Sequence, residues 1–256
     1  MPSAAGLWYE WHGPADGEVL VLSPGMGGSA GYWAPNLAAL SARYRVLLYD
    51  HRGTGRSDPL PPGVVSIGSM AEDVRGLLSE LGIRRPHFVG HALGGLIGLD
   101  LDAQGDVERL VVVNGWAEPD PWFERCFEIR LDLLHKSGPA AYLRAQPAFL
   151  YPANWISENI ARLDAEAEHQ LAHFQPVETL ERRVAAARAF RLAGDIGTDI
   201  LAIIALDDML VPPNASRKLA ERLPGARLAE MKWGGHACNV TDPDTFSRLV
   251  LEFLGS

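Results

Sequence analysis

Three short stretches carry residues that could make or break bonds. The first is Phe88-Val89-Gly90-His91-Ala92-Leu93-Gly94-Gly95. Gly-x-Nuc-x-Gly between a strand and a helix is the spacing of a nucleophile elbow, a sharp turn that lifts one side chain above a sheet. Gly90 and Gly94 suit such a turn, because its backbones pass too close for Cβ atoms. At the centre, where a Ser, Cys or Asp would attack, stands Ala92, and a methyl group attacks nothing. The second stretch is Asp207-Asp208-Met209-Leu210-Val211-Pro212, and the third is Trp233-Gly234-Gly235-His236-Ala237-Cys238-Asn239. An imidazole can take a proton from water and return it to a leaving group. A carboxylate behind it fixes the tautomer and stabilises the protonated form. Asp208 is the expected partner of His236, since Pro212, four residues on, closes a loop that favours it; Asp207 is the competitor. The backbone N–H groups of Met26, in the Gly25 loop, and of Leu93 could bind charge developing on a substrate oxygen. No particular side chain is needed there, so position alone supports them. A helix beginning at the elbow would add positive potential.

Other candidates are weaker. His169 and His173 have the i, i+4 spacing of a helical metal pair, but no third ligand and no HExxH pattern accompany them, so no metal is expected. Gly53-Thr54-Gly55 lacks the third Gly and the apolar helix of a dinucleotide fingerprint. No cofactor is expected. Asp58 reads as a solvated loop carboxylate. Cys238, two residues after His236, is expected as a half-buried packing residue rather than a displaced nucleophile, and Cys126 as core.

The elements that must position these groups alternate along the chain. Strands are expected at Leu7 to Trp11, Val19 to Ser23, Arg45 to Asp50, Arg85 to Val89, Leu110 to Val113, Ile200 to Leu206 and Arg227 to Lys232. Several are short and apolar throughout, as in strands buried on both faces. Helices are expected at Tyr32 to Leu40, Ser66 to Leu81, from Leu93 on, at Asn214 to Leu223 and at Asp244 to Leu254. From Ala117 to Ala193 the pattern is helical only, over Trp122 to Leu134, Ala140 to Ala145, Asn159 to Phe174 and Leu180 to Phe190, and dense in aromatics. The reading is an α/β fold: a mostly parallel sheet flanked by helices, with 1–116 and 196–256 as its core and 117–195 as an inserted helical cap. In such sheets ligands bind beyond the carboxyl ends of the strands. The Gly25 loop, Ala92, Asp208 and His236 follow such ends, and so does Trp116, which is expected to bind substrate. Some cap aromatics should line the same pocket.

Composition bounds the partners. The 256-residue chain is 47% hydrophobic, enough for a core, and its formal net charge of −9 argues against nucleic acid and anionic membranes. No apolar run approaches the roughly 20 residues of a membrane span. No signal peptide is visible, and two cysteines make no disulfide framework, so a cytoplasmic location is the default. The partner expected is a small-molecule substrate, and the aromatic cap suits a homodimer as well as a monomer.

Elbow, then acid, then histidine is the chain order of α/β-hydrolases. Together with the Gly25 loop and Asp50-His51-Arg52-Gly53-Thr54-Gly55-Arg56-Ser57, these motifs resemble that superfamily over essentially the whole chain. Pro24 departs from the His that many members place before the oxyanion-hole Gly. The resemblance narrows. Gly90-His91-Ala92-Leu93-Gly94, Val113-Asn114-Gly115-Trp116, Arg125-Cys126-Phe127, Phe149-Leu150-Tyr151-Pro152 with Trp155, Ala172-His173-Phe174-Gln175 and Gly234 to Pro243 resemble the RutD family. That likeness implies a hydrolase of a small amino compound, carbamate or 3-aminoacrylate, in pyrimidine nitrogen catabolism, and a native Ala at the elbow. Two other readings stay open at this level: a noncatalytic binder on a degenerate hydrolase fold, and a serine hydrolase whose nucleophile was changed to Ala92.

Overall fold

The computed structural model describes residues 2–193 and 197–255. The expected domain limits at 1, 195, 196 and 256 lie outside the described residues. Eight strands form one sheet: β1 (Ser3–Ala4), β2 (Leu7–His12), β3 (Val19–Ser23), β4 (Arg45–Tyr49), β5 (His87–His91), β6 (Arg109–Val113), β7 (Asp199–Ala205) and β8 (Arg227–Met231). Their spatial order is β1-β2-β4-β3-β5-β6-β7-β8. Only the β1–β2 and β2–β4 pairs are antiparallel; the rest are parallel.

The central strands bury both faces, which is why they read as unbroken apolar runs. Successive side chains point to opposite faces, and the two cores divide accordingly. Leu20, Leu22, Val46, Leu48, Val111 and Val113 pack on one face, with Trp33, Phe246 and Val250. Val21, Leu47, Leu110 and Val112 pack on the other, with Val74, Leu77, Leu96 and Ile97. The first face is covered by α1 (Ala34–Ser41) and α11 (Pro243–Leu254), the second by α2 (Ile67–Glu80) and α3 (Leu93–Asp102). Ser66 caps α2 by accepting from the Ser69 N–H at 3.0 Å while the Ser69 hydroxyl accepts from the Ser66 N–H at 2.9 Å.

Between β6 and β7 the described residues form helices only: α4 (Pro121–Ala145), α5 (Pro147–Leu150), α6 (Ala153–Glu158), α7 (Ile160–Ala172) and α8 (Val177–Ala189). The two helices expected at 122–134 and 140–145 both lie within this α4 span and are parted at Gly138, whose φ 82° and ψ 176° are not helical, just before Pro139. The remaining helices are α9 (Pro213–Glu221) and α10 (Cys238–Thr241).

Departures from expectation are local. The strand expected at Arg85 to Val89 lies two residues later, because Arg85 sits at φ 45° in the preceding turn. The helix expected from Tyr32 is split into a 3₁₀ turn at Ala30–Trp33 and α1, with Pro35 inside the first turn of α1. Strand β1 and helices α5, α6 and α10 are too short to show a period. Among the described residues no helix is long and apolar enough to cross a membrane.

Candidate active site

The sheet order brings the chemistry together. β3 and β5 are neighbours in register, with Ser23 opposite Gly90, so the Gly25 loop leaves beside the elbow. At the elbow Ala92 has φ 49°, ψ −112°. That left-handed conformation costs on the order of 1–3 kcal/mol for a residue with a Cβ. It is held from both sides: the Ala92 N–H donates to the Val113 carbonyl at 2.8 Å, and the Ala92 carbonyl accepts from Gly95 and Leu96 at 2.9 and 3.1 Å. Gly94 has no room for a side chain, since a Cβ there would run into the Ser23 and Pro24 carbonyls. The Gly25 loop therefore lies directly against the first turn of α3. Leu93 opens α3, so its N–H has no acceptor within the helix. Among the described residues neither it nor the Met26 N–H donates to a protein group.

His236 follows β8 and is 3% exposed. Its Nδ1 lies 2.8 Å from Asp208 Oδ2. The other Asp208 oxygen accepts from the N–H groups of Leu210 and Val211 at 2.8 and 2.9 Å. The carboxylate is thus fixed at both oxygens and receives the imidazole Nδ1–H, which leaves Nε2 as the free base. Among the described residues Nε2 has no protein partner, and it is not sealed by its neighbours. Asp207 does a different job: its carboxylate accepts from the N–H groups of Gly234 and Gly235 at 3.2 and 2.8 Å. The two consecutive aspartates hold the histidine loop and the histidine ring separately.

Two further residues that the sequence reading left without a role fix His236. Asn114 Nδ2 donates to the His236 carbonyl at 2.8 Å, and Asn114 Oδ1 accepts from the Ala205 N–H at 2.9 Å. Asn114 adopts φ 49°, which Asn tolerates better than most residues. His91 Nε2 lies 2.8 Å from the same His236 carbonyl, and the two rings stand 4.6 Å apart. Burial first, and the His236 imidazole second, hold His91 well below its ordinary pKa. It is therefore neutral, with its one proton on Nε2. Both residues stood inside motifs already singled out; their side-chain targets lie 122 and 145 positions away, beyond any local pattern.

The Gly25 loop is held from behind. His51 Nε2 meets the Pro24 carbonyl at 2.9 Å. Burial, then the Arg183 charge, lowers the His51 pKa to about 3, so this ring too is a neutral donor. Arg183 on α8 is fully buried and donates to the Gln175 side chain at 2.8 Å and to the Arg52 and Met26 carbonyls at 2.6 and 3.4 Å. Trp116, which follows β6, is 2% exposed and lies 4.6 Å from the Phe123 ring. Its Nε1 has no partner among the described residues.

Cys238 is fully buried rather than half-buried, because the short α10 turns it inward beneath the histidine loop. Burial and then the Asp208 charge push its thiol far above the ordinary range, so it makes no thiolate there. His169 and His173 stack 4.6 Å apart on an exposed face, and no group of three metal-ligating side chains occurs among the described residues.

A family profile described as the alpha/beta hydrolase fold matches residues 18–243. A protein of Caulobacter segnis named "Putative carbamate hydrolase RutD" is 48% identical, covering 97% of this chain and 96% of its own. One of the same name from Agrobacterium fabrum is 46% identical over 97% of this chain and 98% of its own. The chain belongs to the RutD family of α/β hydrolases. Among solved structures, the enol-lactonase of Burkholderia xenovorans superposes with a TM-score of 0.86 at 29% identity, covering 98% of this chain and 96% of that one. As a RutD-family hydrolase, the chain carries an imidazole–carboxylate pair and two unengaged N–H groups at the sheet's carboxyl edge, around an elbow whose centre is a methyl group.

Proposed function

We propose that this RutD-family chain hydrolyses the C–N bond of a small amino compound with water as the direct nucleophile. The reading rests on one observation: the buried His236–Asp208 pair, 2.8 Å apart, is complete where the elbow holds Ala92. A binding surface has no need of that pair. His236 Nε2 takes a proton from water as the water oxygen bonds to the carbon bearing nitrogen. It then returns the proton to the nitrogen, which leaves as ammonia. Asp208 stabilises the imidazolium between the two steps. The Met26 and Leu93 N–H groups bind the oxygen on which charge develops, and Trp116 lines the substrate pocket. Ala92, lacking the Ser hydroxyl, leaves space for the water.

The relatives' name suggests carbamate, which with water gives ammonia and bicarbonate. The alternative within the same reading is 3-aminoacrylate, which through its imine tautomer gives malonic semialdehyde and ammonia. Either reaction would release nitrogen late in pyrimidine breakdown. Both compounds decompose unaided in water, so general acid–base help of ~10²–10⁴-fold is a sufficient task.

The test is ammonia release from freshly generated carbamate and from 3-aminoacrylate, with the natural chain, His236→Ala, Asp208→Asn and buffer compared at one pH. Acceleration by the natural chain that disappears in His236→Ala and drops strongly in Asp208→Asn is the expected result. Equal rates in protein and buffer with both compounds would overturn it. They would favour the second reading, a noncatalytic binder, for which the methyl group of Ala92 is the supporting observation.

A further inference from the structure

Arg130 lies on the inner face of α4 and is 4% exposed. A buried guanidinium is normally matched by a carboxylate, because an uncompensated charge in a dry interior is expensive. Among the described residues no carboxylate pairs with Arg130. Its one hydrogen bond runs from Nη2 to the neutral Tyr142 hydroxyl at 2.6 Å. Its other neighbours are the faces of Phe127, Tyr142 and Phe149, at 4.8, 5.1 and 5.7 Å from the guanidinium carbon. Nε is sealed from solvent and has no acceptor among the described residues. Arg183, the other buried guanidinium, also has a sealed Nε without an acceptor among the described residues, but both of its Nη groups are engaged, on Gln175, Arg52 and Met26, which makes it a strut. Arg130 holds nothing comparable.

Its surroundings connect it to the candidate site. One turn earlier, the Cys126 thiol meets the Met209 carbonyl at 3.7 Å, beside Asp208. The Cys126 thiol feels the Arg130 and Asp208 charges together. Phe127 stacks on Phe123 at 4.7 Å, and Phe123 on Trp116 at 4.6 Å. The indole Nε1 of Trp116 is a second buried donor without an acceptor among the described residues. Phe149 precedes Leu150, whose carbonyl accepts from Ala237, next to His236. Two orphaned donors, one of them a full cation, thus lie on one aromatic cluster that is joined through Met209 and Leu150 to the segments carrying Asp208 and His236. An anion with oxygen acceptors supplies what both lack.

We infer that Arg130 binds the carboxylate of the substrate, so that the site selects small carboxylates over their neutral amides. The inference builds on the hydrolase reading above, in which both candidate compounds carry a carboxylate, but its test needs no turnover. Acrylate and acrylamide, equal in size and differing in charge, are titrated calorimetrically into the natural chain, Arg130→Lys and Arg130→Met. A charged hydrogen bond in a buried site predicts that the natural chain binds acrylate about tenfold or more tighter than acrylamide. Arg130→Met, which keeps the volume, loses that preference, and Arg130→Lys keeps part of it. In the natural chain the Arg130 Nε–H resonance, identified by its absence from Arg130→Lys, shifts with acrylate and not with acrylamide. Equal affinities for the two probes, no binding of either, or a preference that survives in Arg130→Met would overturn the inference. These readouts stand whether or not ammonia is released. A failed hydrolase reading therefore shows in the kinetic assay, and a failed Arg130 assignment in the titration.

Discussion

Ala92 concentrates the question this chain poses. Its backbone keeps φ 49°, although no side-chain nucleophile benefits. The Val113, Gly95 and Leu96 hydrogen bonds impose that geometry on whatever residue stands there. Ala92→Ser should therefore place a hydroxyl where the elbow directs it, near His236. The expected outcome is new cleavage of simple aryl esters with a burst from an acyl-enzyme, against none for the natural chain, read by stopped-flow absorbance. Cys238 offers the contrasting case. Burial raises its pKa, as it raises that of Cys126 to about 11. Iodoacetamide at neutral pH should leave both thiols unmodified in the folded protein, as intact mass will show. At this scale the sequence was only partly legible. Asp208 could be preferred over Asp207 from Pro212, yet the separate work of Asp207 on the Gly234 and Gly235 N–H groups had no sequence signal. The roles of Asn114 and His91 were equally hidden, because each acts on a backbone carbonyl that only the folded sheet brings near.

Elements were easier to read where burial forces a period. β3, β4 and β6 are apolar on both faces, so their runs stand out. Helix α2 announces itself by Ser66 at its cap and by Val74, Leu77 and Leu78 on one side. The pieces that escaped notice, β1, α5, α6 and α10, are six residues or shorter and take their form from what they pack on. The tightest joint between elements is that of β3, β5 and α3. Any Cβ on Gly94 collides with the Ser23 and Pro24 carbonyls, which are backbone and cannot swing aside. Gly94→Ala should cost about 3 kcal/mol or more. In a chain of this size that lowers Tm by roughly 6–12 °C, measurable by scanning calorimetry. The retreating Gly25 loop should also take the Met26 N–H out of line, so the variant is expected to lose acceleration of ammonia release even well below its Tm.

The whole molecule stores a pH dependence in its buried imidazoles. His51, lowered to about 3, and His91, held well below its ordinary value, stay neutral in the fold, whereas both protonate near pH 6.5 when unfolded. A depressed folded pKa means that stability is intact above the unfolded pKa and falls with the pH below it. Each such histidine contributes a slope of about 1.4 kcal/mol per pH unit. Urea titrations should therefore show a share of the unfolding free energy from these two residues that changes little above pH 7 and drops by nearly 3 kcal/mol for each unit from about pH 6 to about pH 4. His51→Gln, which can still donate to the Pro24 carbonyl, should remove about half of that slope. This part of the molecule's behaviour was not legible beforehand, because burial of a histidine is a property of the packed sheet and not of its neighbours in the chain.

One backbone hydrogen bond described above ties these scales together. The Ala237 N–H donates to the Leu150 carbonyl at 3.0 Å, joining the helical segment between β6 and β7 to the residue next to His236. That bond is a clasp between roof and floor. If the roof lifts to admit a ligand, it must release the clasp or pull the histidine loop away from Asp208. An open molecule and one with a seated imidazole are then alternatives in time, and the Ala237 amide keeps the record. Its deuterium uptake measures how often the chain gives up that joined geometry.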